Sequence, residues 1–324
     1  MSGSVGTQGW GVGWAVSLLV GCPTSHDPPP DAAVADVRPR RVIRRDAGTC
    51  APGAVCDCRA ADRVPAGVFI QGGTAIWTPA LWTPGHRVEQ TEDMFLARYE
   101  ATTACFRRCV AEGGCEESDV LYSSTWDSRF PSVYPPLGYW RDSFYDEYPV
   151  GQLSFWGAQN YCAFLGGRLP TGAEWEHAAR GDEGLIFPWQ SAADPTDPTT
   201  GEIARGSGQC DRSSCDYEYF LHPVALFPLG VGPYGHLDIA GNAIEWVADT
   251  ATRYEGPFDE PLVDPFNDDG SSRRAVRGWP RHQTLEWYGM SESGEFDDDI
   301  PLNYNLLSVR CAFDTEPPPL LLSE

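Results

Sequence analysis

The 324-residue chain contains no lysine: all 23 of its basic side chains are arginines. Mechanisms that need a lysine Schiff base or a phosphate-loop lysine are therefore excluded. Positive charge is also scarce, because 46 acidic residues leave a formal net charge of −23. A surface of that sign repels phosphate backbones, so we expect no nucleic-acid partner and a better match to divalent cations or basic partners.

The apolar run near the N-terminus, WAVSLLVG at residues 14–21, is too short to span a membrane and has the length of a signal-peptide core. The LVGC sequence that ends at Cys22 resembles a bacterial lipobox, in which the cysteine receives lipid. Residues 1–13 contain no basic side chain, which departs from the usual positive leader. We predict a signal peptide over residues 1–22 and lipidation at Cys22. The protein would then be a lipid-anchored or secreted protein of the cell envelope, touching the membrane only through the lipid.

Glycine and proline are abundant, with 34 and 28 residues, and favour a loop-rich fold over a helical bundle. Residues 23–63 are rich in Pro, Asp and Arg and predict a disordered tether. Residues 315–324 predict a disordered tail. The folded domain is predicted over residues 64–314.

Eleven cysteines are present, and ten remain when Cys22 is set aside. The close pairs Cys109/Cys115 and Cys210/Cys215 are typical of disulfides in an oxidising compartment. Zinc is a weaker alternative, because the CDC sequence at residues 56–58 leaves too little room for the usual chelating loop. The connectivity of four further cysteines stays open: Cys50, Cys56, Cys58 and Cys105.

Local patterns predict strands at residues 64–73 and at Met94–Glu100, together with three short helices. The first helix is capped by Thr102 or Thr103 and stops at Gly113-Gly114, and the second begins after Ser154 with Cys162 facing inward. The third lies in GGRLPTGAEWEHAARG, residues 166–181.

In that third segment Thr171 and Glu174 form a capping box, and Gly181 is a good left-handed stop. A helix of about nine residues does not persist alone, so we expect Trp175 to hold it by packing in the core. Glu176 and His177 are consistent with solvent-facing positions.

Several segments, in the same order, resemble the formylglycine-generating enzyme family, also called sulfatase-modifying factors. They are VPAGVFIQGG (64–73), FLARYEATTACF (95–106), PVGQLSFWGAQNYCAFLGGRLPTGAEWEHAARG (149–181), YGHLDIAGNAIEWVADT (234–250), RAVRGWP (274–280) and SVRCAFD (308–314). The resemblance covers residues 64–314. It implies an α+β fold related to C-type lectins, with little regular secondary structure and with stabilisation by disulfides and calcium.

Residues 238–245, DIAGNAIE, form the Gly-Asn turn. This turn places two carboxylates and two backbone carbonyls close together, which is a plausible oxygen cage for Ca²⁺. The resemblance implies that Asp238 and Glu245 bind calcium by side chain, and Gly241 and Ala243 by carbonyl oxygen. The alternative is a turn with two solvated acids. The resemblance also implies a disulfide, because Cys162 and Cys311 align with a structural pair in some members.

Aerobic members of the family oxidise a sulfatase cysteine to formylglycine with O₂ and with copper(I) held by two cysteines just after an RGG strand. Thiolates suit copper(I) because both are soft. Here the strand reads VRGWPRHQ, and Cys311 is the only cysteine beyond residue 215. We therefore expect no copper and no catalytic residues. Cys210 and Cys215 have a similar spacing but precede the calcium turn, so a local disulfide is the favoured interpretation.

The sequence thus predicts a non-catalytic module, a pseudoenzyme that binds a protein, peptide or glycan ligand. Aromatic side chains near the altered strand could stack against such a ligand, although each of them is also a good core residue. The candidate groove residues are Trp279, His282, Trp287 and Tyr288. Two alternatives stay open: a formylglycine-generating oxidase that uses another site, and a purely structural surface protein.

Overall fold

The computed structural model describes residues 57–73, 85–120, 139–185, 187–188, 221–226, 230–251, 259–278, 294–297 and 306–322. Several predictions lie outside these residues. They concern Cys22, Cys50, Cys56, the Cys210/Cys215 pair and the groove residues Trp279, His282, Trp287 and Tyr288.

The three predicted helices are present, and side-chain caps start each of them. Helix α1 spans Thr103–Ala111 after an N-cap at Thr102, and α2 spans Phe155–Phe164 after Ser154, whose oxygen accepts from the Gly157 amide at 2.9 Å. Each cap satisfies an amide that the first helical turn leaves without a partner. Both caps were readable from the sequence because they are local.

Helix α3 spans Gly172–Arg180 and has the predicted capping box. The Thr171 hydroxyl accepts from the Glu174 amide at 3.1 Å, and the Glu174 carboxylate accepts from the Thr171 amide at 2.7 Å. The helix ends at Gly181, which has a φ of 64°. Trp175 is fully buried, which confirms that packing holds this short helix.

In the described ranges, ten short strands form three small sheets, ordered β1-β4-β10, β2-β3-β6 and β8-β7-β5-β9. The strands are β1 Ala61–Val64, β2 Gly67–Gln71, β3 His86–Gln90, β4 Met94–Ala97, β5 Ile244–Thr250, β6 Leu262–Val263, β7 Arg273–Arg277, β8 Gly294–Asp297, β9 Leu307–Val309 and β10 Ala312–Phe313. Most neighbours pair antiparallel, but β3–β6 and β5–β9 are parallel. The mixed architecture confirms the predicted α+β class.

Within the part of the chain that the structure describes, three disulfides connect these elements. Cys109–Cys115 closes the end of α1, and Cys162–Cys311 joins α2 to the segment between β9 and β10; both were predicted. The third bond, Cys58–Cys105, settles one of the pairings that the sequence left open. Five of the six bonded cysteines are at least 95% buried, and all six belong to one apolar cluster.

The ordered structure extends beyond the predicted limits of 64 and 314. Strand β1 begins at Ala61, and Cys58 is buried in its disulfide, so residues 57–63 do not belong to a disordered tether. In the predicted disordered tail, the Leu320 carbonyl accepts from the Cys58 amide at 3.0 Å. The Leu320 amide donates to the Asp57 carboxylate at 2.9 Å. The pairing of residues 57–58 with Leu320 is a non-local contact that amino-acid composition does not reveal.

Candidate functional site

The Gly-Asn turn leads into β5 and is buried rather than solvated. Asp238 and Asn242 both have positive φ values, 56° and 57°, and are at most 3% exposed. The Asn242 side-chain oxygen accepts from the His222 amide at 2.9 Å. Asp and Asn tolerate the left-handed conformation because their short polar side chains make local hydrogen bonds. The alternative of a turn with two solvated acids is therefore wrong.

Glu245, on β5, is held by two other segments. Arg310 donates to both of its carboxylate oxygens at 2.9–3.2 Å, and the Trp175 indole N–H donates at 2.6 Å. The Arg310 guanidinium also donates to the carbonyls of Ala97 and Leu237, each at 2.9 Å. This set of charge-assisted bonds connects α3, β4, β5 and the segment after β9.

Glu100 is a further buried acid beside the turn. Its Oε1 accepts from the Ala243 amide at 3.3 Å, whereas its Oε2 has no hydrogen-bond partner among the described residues. Burial raises the pKa of Glu100 well above its usual value, and the neighbouring Asp238 carboxylate raises it further. Burial likewise raises the pKa of Asp238 to about 6, although the Ala225 amide opposes this by donating to it.

The buried turn offers oxygen donors, which are the ligand type that a hard cation takes. Three buried carboxyl groups, Glu100, Asp238 and Glu245, lie beside the Arg310 guanidinium, and the Glu100 Oε2 accepts no hydrogen bond from the described residues. The fit is incomplete at Glu245, whose oxygens already accept from Arg310 and a tryptophan. Within the described ranges, no group of three His, Cys, Asp or Glu side chains is arranged to hold a metal. The predicted calcium role of the turn stays a prediction.

Glu100 and Arg310 were missed as site residues by sequence reasoning. Both lie in segments that carry the family resemblance, but 143 residues separate Glu100 from Ala243 and 65 separate Arg310 from Glu245. No local spacing rule brings such residues together. Their only sequence signal is their place inside the RYE and VRC motifs.

All six cysteines that the structure describes are oxidised in its three disulfides. Cys311, the only cysteine beyond residue 215, is bonded to Cys162 and is 2% exposed. A cysteine engaged in a disulfide offers no thiolate for copper(I). The structure therefore places Cys311 in the predicted structural role. In the described part of the chain, no helix has the length and hydropathy of a membrane span.

The chain has relatives that differ in activity. It is 38% identical over 112 residues to inactive C-alpha-formylglycine-generating enzyme 2 of Bos taurus, a match that covers 34% of each chain. It is 31% identical over 185 residues to the formylglycine-generating enzyme of Thermomonospora curvata, covering 53% of this chain and 58% of that protein. It is also 27% identical over 212 residues to hercynine oxygenase of Mycolicibacterium smegmatis, covering 60% of this chain and 46% of that enzyme. The matched region spans about a third of the length of the bovine relative.

Solved structures share the fold. PvdO from Pseudomonas aeruginosa superposes with a TM-score of 0.56 at 20% identity, covering 77% of this chain and 92% of PvdO. The Treponema denticola variable protein 1 superposes with a TM-score of 0.55 at 15% identity, covering 79% and 95%. The model of the sulfatase-modifying factor enzyme 1-like domain matches residues 53–312, most of the chain. The chain therefore belongs to the sulfatase-modifying factor enzyme 1-like domain family, that of the formylglycine-generating enzymes.

Proposed function

We propose that this protein is a non-catalytic member of its family, which uses the scaffold to bind a protein, peptide or glycan ligand. The observation that carries the proposal is the state of Cys311. It is the only cysteine after residue 215, and it is consumed in a disulfide with Cys162. The segment that would supply two copper-binding thiolates contains none.

Active members of the family hold copper(I) with a pair of cysteine thiolates. A soft, singly charged ion binds thiolates far better than carboxylates or amides. Residues 279–305 offer His282 and Glu286 but no sulfur ligand other than the thioether of Met290. A neutral thioether is a weak replacement for a pair of anionic thiolates. The bovine relative named as inactive is consistent with a family that includes members without the reaction.

An activity assay tests the non-catalytic role directly. The purified protein is incubated with copper, O₂ and a sulfatase peptide containing Cys-Pro-Arg, and the peptide aldehyde is captured with an aminooxy reagent and detected by mass spectrometry. The Thermomonospora curvata enzyme is the positive control. We expect no aldehyde above the enzyme-free background, and aldehyde formed at a rate near that of the control would overturn the proposal.

The alternative function is a formylglycine-generating oxidase that uses Cys210 and Cys215. The spacing of these residues is similar to that of the family's catalytic pair, although a local disulfide is the favoured interpretation, and they lie outside the described residues. If aldehyde forms, the double variant Cys210→Ser/Cys215→Ser decides the assignment, because it removes the only close cysteine pair without an assigned disulfide in the second half of the chain. Loss of aldehyde in that variant would support the alternative.

The ligand itself is open to a binding screen. Glycan and peptide arrays are probed with the wild-type protein and with the variant Trp287→Ala, which removes one candidate stacking ring. Aromatic stacking contributes about 0.5–1.5 kcal/mol beyond area burial, so a ring that contacts ligand gives a reduction of several-fold in affinity when removed. Arrays without signal for the wild-type protein would count against a binding role.

Calcium, in this proposal, is a structural ion at the Gly-Asn turn. The three buried carboxyl groups beside Arg310 support it, and Asp238 with the Gly241 and Ala243 carbonyls would hold the ion. Thermal unfolding with added Ca²⁺ and with EDTA tests the idea. We expect Ca²⁺ to raise the melting temperature of the wild-type protein and not that of Asp238→Asn. Identical melting in both buffers would refute it.

Anchoring through Cys22 completes the proposal and places the domain at the cell envelope. The lipobox-like LVGC sequence supports it. In a bacterial host, metabolic labelling with an alkyne fatty acid should label the full chain but not Cys22→Ala. Labelling of neither chain, together with recovery of both from the cytoplasm, would contradict the predicted location.

A further inference from the structure

A second charged cluster, on the other side of α3, is not part of the Gly-Asn turn. His177 has a fully buried side chain, and its Nε2 lies 2.8 Å from an oxygen of Asp182, whose side chain is 62% exposed. The Tyr234 hydroxyl lies 2.9 Å from that same oxygen and 3.2 Å from Nε2. A buried base, an exposed acid and a phenol therefore meet at one point between α3 and the segment before the Gly-Asn turn.

Hydrogen bonding sets the protonation state of one ring nitrogen of His177, Nδ1. The Gln90 amide nitrogen donates to the Glu92 carbonyl at 2.9 Å, so the Gln90 Oε1 faces the ring. That oxygen only accepts, and it lies 3.0 Å from Nδ1 of His177, so Nδ1 carries a proton. The ring is further fixed by parallel stacking on Phe69, with centroids 4.3 Å apart.

With Nδ1 protonated, the state of Nε2 depends on whether the ring is charged. In the imidazolium, Nε2 donates to Asp182, and the Tyr234 hydroxyl also donates to Asp182. In the neutral ring, Nε2 is an acceptor and faces an acceptor carboxylate at 2.8 Å, which is unfavourable. The hydroxyl of Tyr234 is then better placed as a donor to Nε2, which leaves Asp182 without either of its donors.

We propose that His177, Asp182 and Tyr234 form an acid-closed latch on the turn at residues 181–184. When Nε2 of His177 takes up a proton from solvent, it donates to the Asp182 carboxylate and holds that side chain against α3. Proton loss transfers the Tyr234 hydrogen bond to the imidazole and releases the carboxylate into solvent. The latch joins α3 and its following turn to the segment at residues 230–237, which leads into the Gly-Asn turn.

The surroundings of the ring leave Asp182 as its main electrostatic partner. Strand β2 presents Phe69 to the ring and β3 presents Gln90, and neither of these titrates. Among the other charged or titratable groups on the packed elements, Glu176 pairs with Arg180, and His86 contacts Gln71.

The pKa of His177 agrees with a switch on the acid side of neutrality. Burial lowers this pKa below its usual value, and the hydrogen bond and charge of Asp182 oppose the shift. His177 is therefore neutral at pH 7, and the latch is open there. Because its folded pKa lies below the unfolded value, proton uptake costs stability as pH falls, and Asp182 reduces that cost.

Two variants of the full-length protein test the latch by moving the pKa of His177 in opposite directions. The pKa is read from the Cε1–H signal of isotope-labelled histidine by NMR, assigned with a His177→Gln variant. Asp182→Asn removes the anion and should lower the pKa by about one unit. Tyr234→Phe removes the donor to the neutral ring and should raise it. Glu183→Gln is the matched control, because it removes one exposed negative charge next to Asp182 in the sequence.

A pKa that falls in Asp182→Asn, rises in Tyr234→Phe and stays unchanged in Glu183→Gln supports the latch. An unchanged pKa in Asp182→Asn, or an equal fall in Glu183→Gln, overturns it. Denaturant unfolding adds an independent readout. Between pH 7 and pH 5, Asp182→Asn should lose stability more steeply than wild type, and parallel curves would refute the proposal.

Discussion

Removal of each disulfide in turn gives the sharpest test of how this loop-rich fold is stabilised. The three bonds close loops of very different length, with sequence separations of 6 for Cys109–Cys115, 47 for Cys58–Cys105 and 149 for Cys162–Cys311. In the chain-entropy model, a bond stabilises the fold by restricting the unfolded chain, and the effect grows with the logarithm of loop length.

The chain-entropy model gives a stabilisation of about 2 kcal/mol for Cys109–Cys115, about 4 kcal/mol for Cys58–Cys105 and about 5 kcal/mol for Cys162–Cys311. Packing losses in Cys→Ala double variants are comparable for the shortest and longest loops, because all four of those cysteines are at least 95% buried. The difference between Cys162→Ala/Cys311→Ala and Cys109→Ala/Cys115→Ala therefore isolates the effect of loop length, which we expect to be about 3 kcal/mol.

The assay is urea unfolding of the oxidised double variants, monitored by tryptophan fluorescence, with the free energy extrapolated to water. The slope of the transition is compared among variants, because a loop-length effect acts on the unfolded state and can also change its compactness. Equal losses for the short and the long loop would refute the reasoning, and would mean that packing around the sulfurs dominates.

Three further predictions concern local features. Arg310→Met leaves Glu245 buried without its cation and should lower the free energy of unfolding by about 3–5 kcal/mol. Arg63→Met removes an exposed ion pair and should lower it by under about 1 kcal/mol. Equal losses for the two variants in urea unfolding would contradict this. Thr171→Ala removes the α3 cap and should cost about 1 kcal/mol in the same assay. Deletion of residues 320–324 removes the contacts to Cys58 and should lower the melting temperature, while deletion of residues 323–324 should not.

The parts of the fold that could be predicted from the sequence are the local ones. The caps at Ser154 and Thr171 and the stop at Gly181 each depend on residues within one helical turn. A hydrogen bond between near neighbours is written into their spacing, so the pattern is sufficient. The short Cys109–Cys115 disulfide was predicted for the same reason.

Other features needed either the resemblance or the structure. The Cys162–Cys311 bond followed from alignment with the family, since nothing local pairs residues 149 positions apart. His177 was predicted to be consistent with a solvent-facing position, yet its side chain is fully buried. A nine-residue helix packed on several sides has no free polar face, so the polarity of a side chain no longer indicates its exposure.

Contacts outside residues 279–305, a segment that contains no cysteine, connect the segments of the described fold. The buried ion pair of Arg310 with Glu245, the α3 cap and the Cys162–Cys311 bond connect segments that carry the family resemblance. None of these contacts uses a side chain from residues 279–305, where the catalytic thiols of active members would lie. Substitution there removes the sulfur ligands but none of these stabilising contacts. The family scaffold and the family reaction thus have separate physical requirements, and this chain meets the first while its sequence lacks the usual ligands for the second.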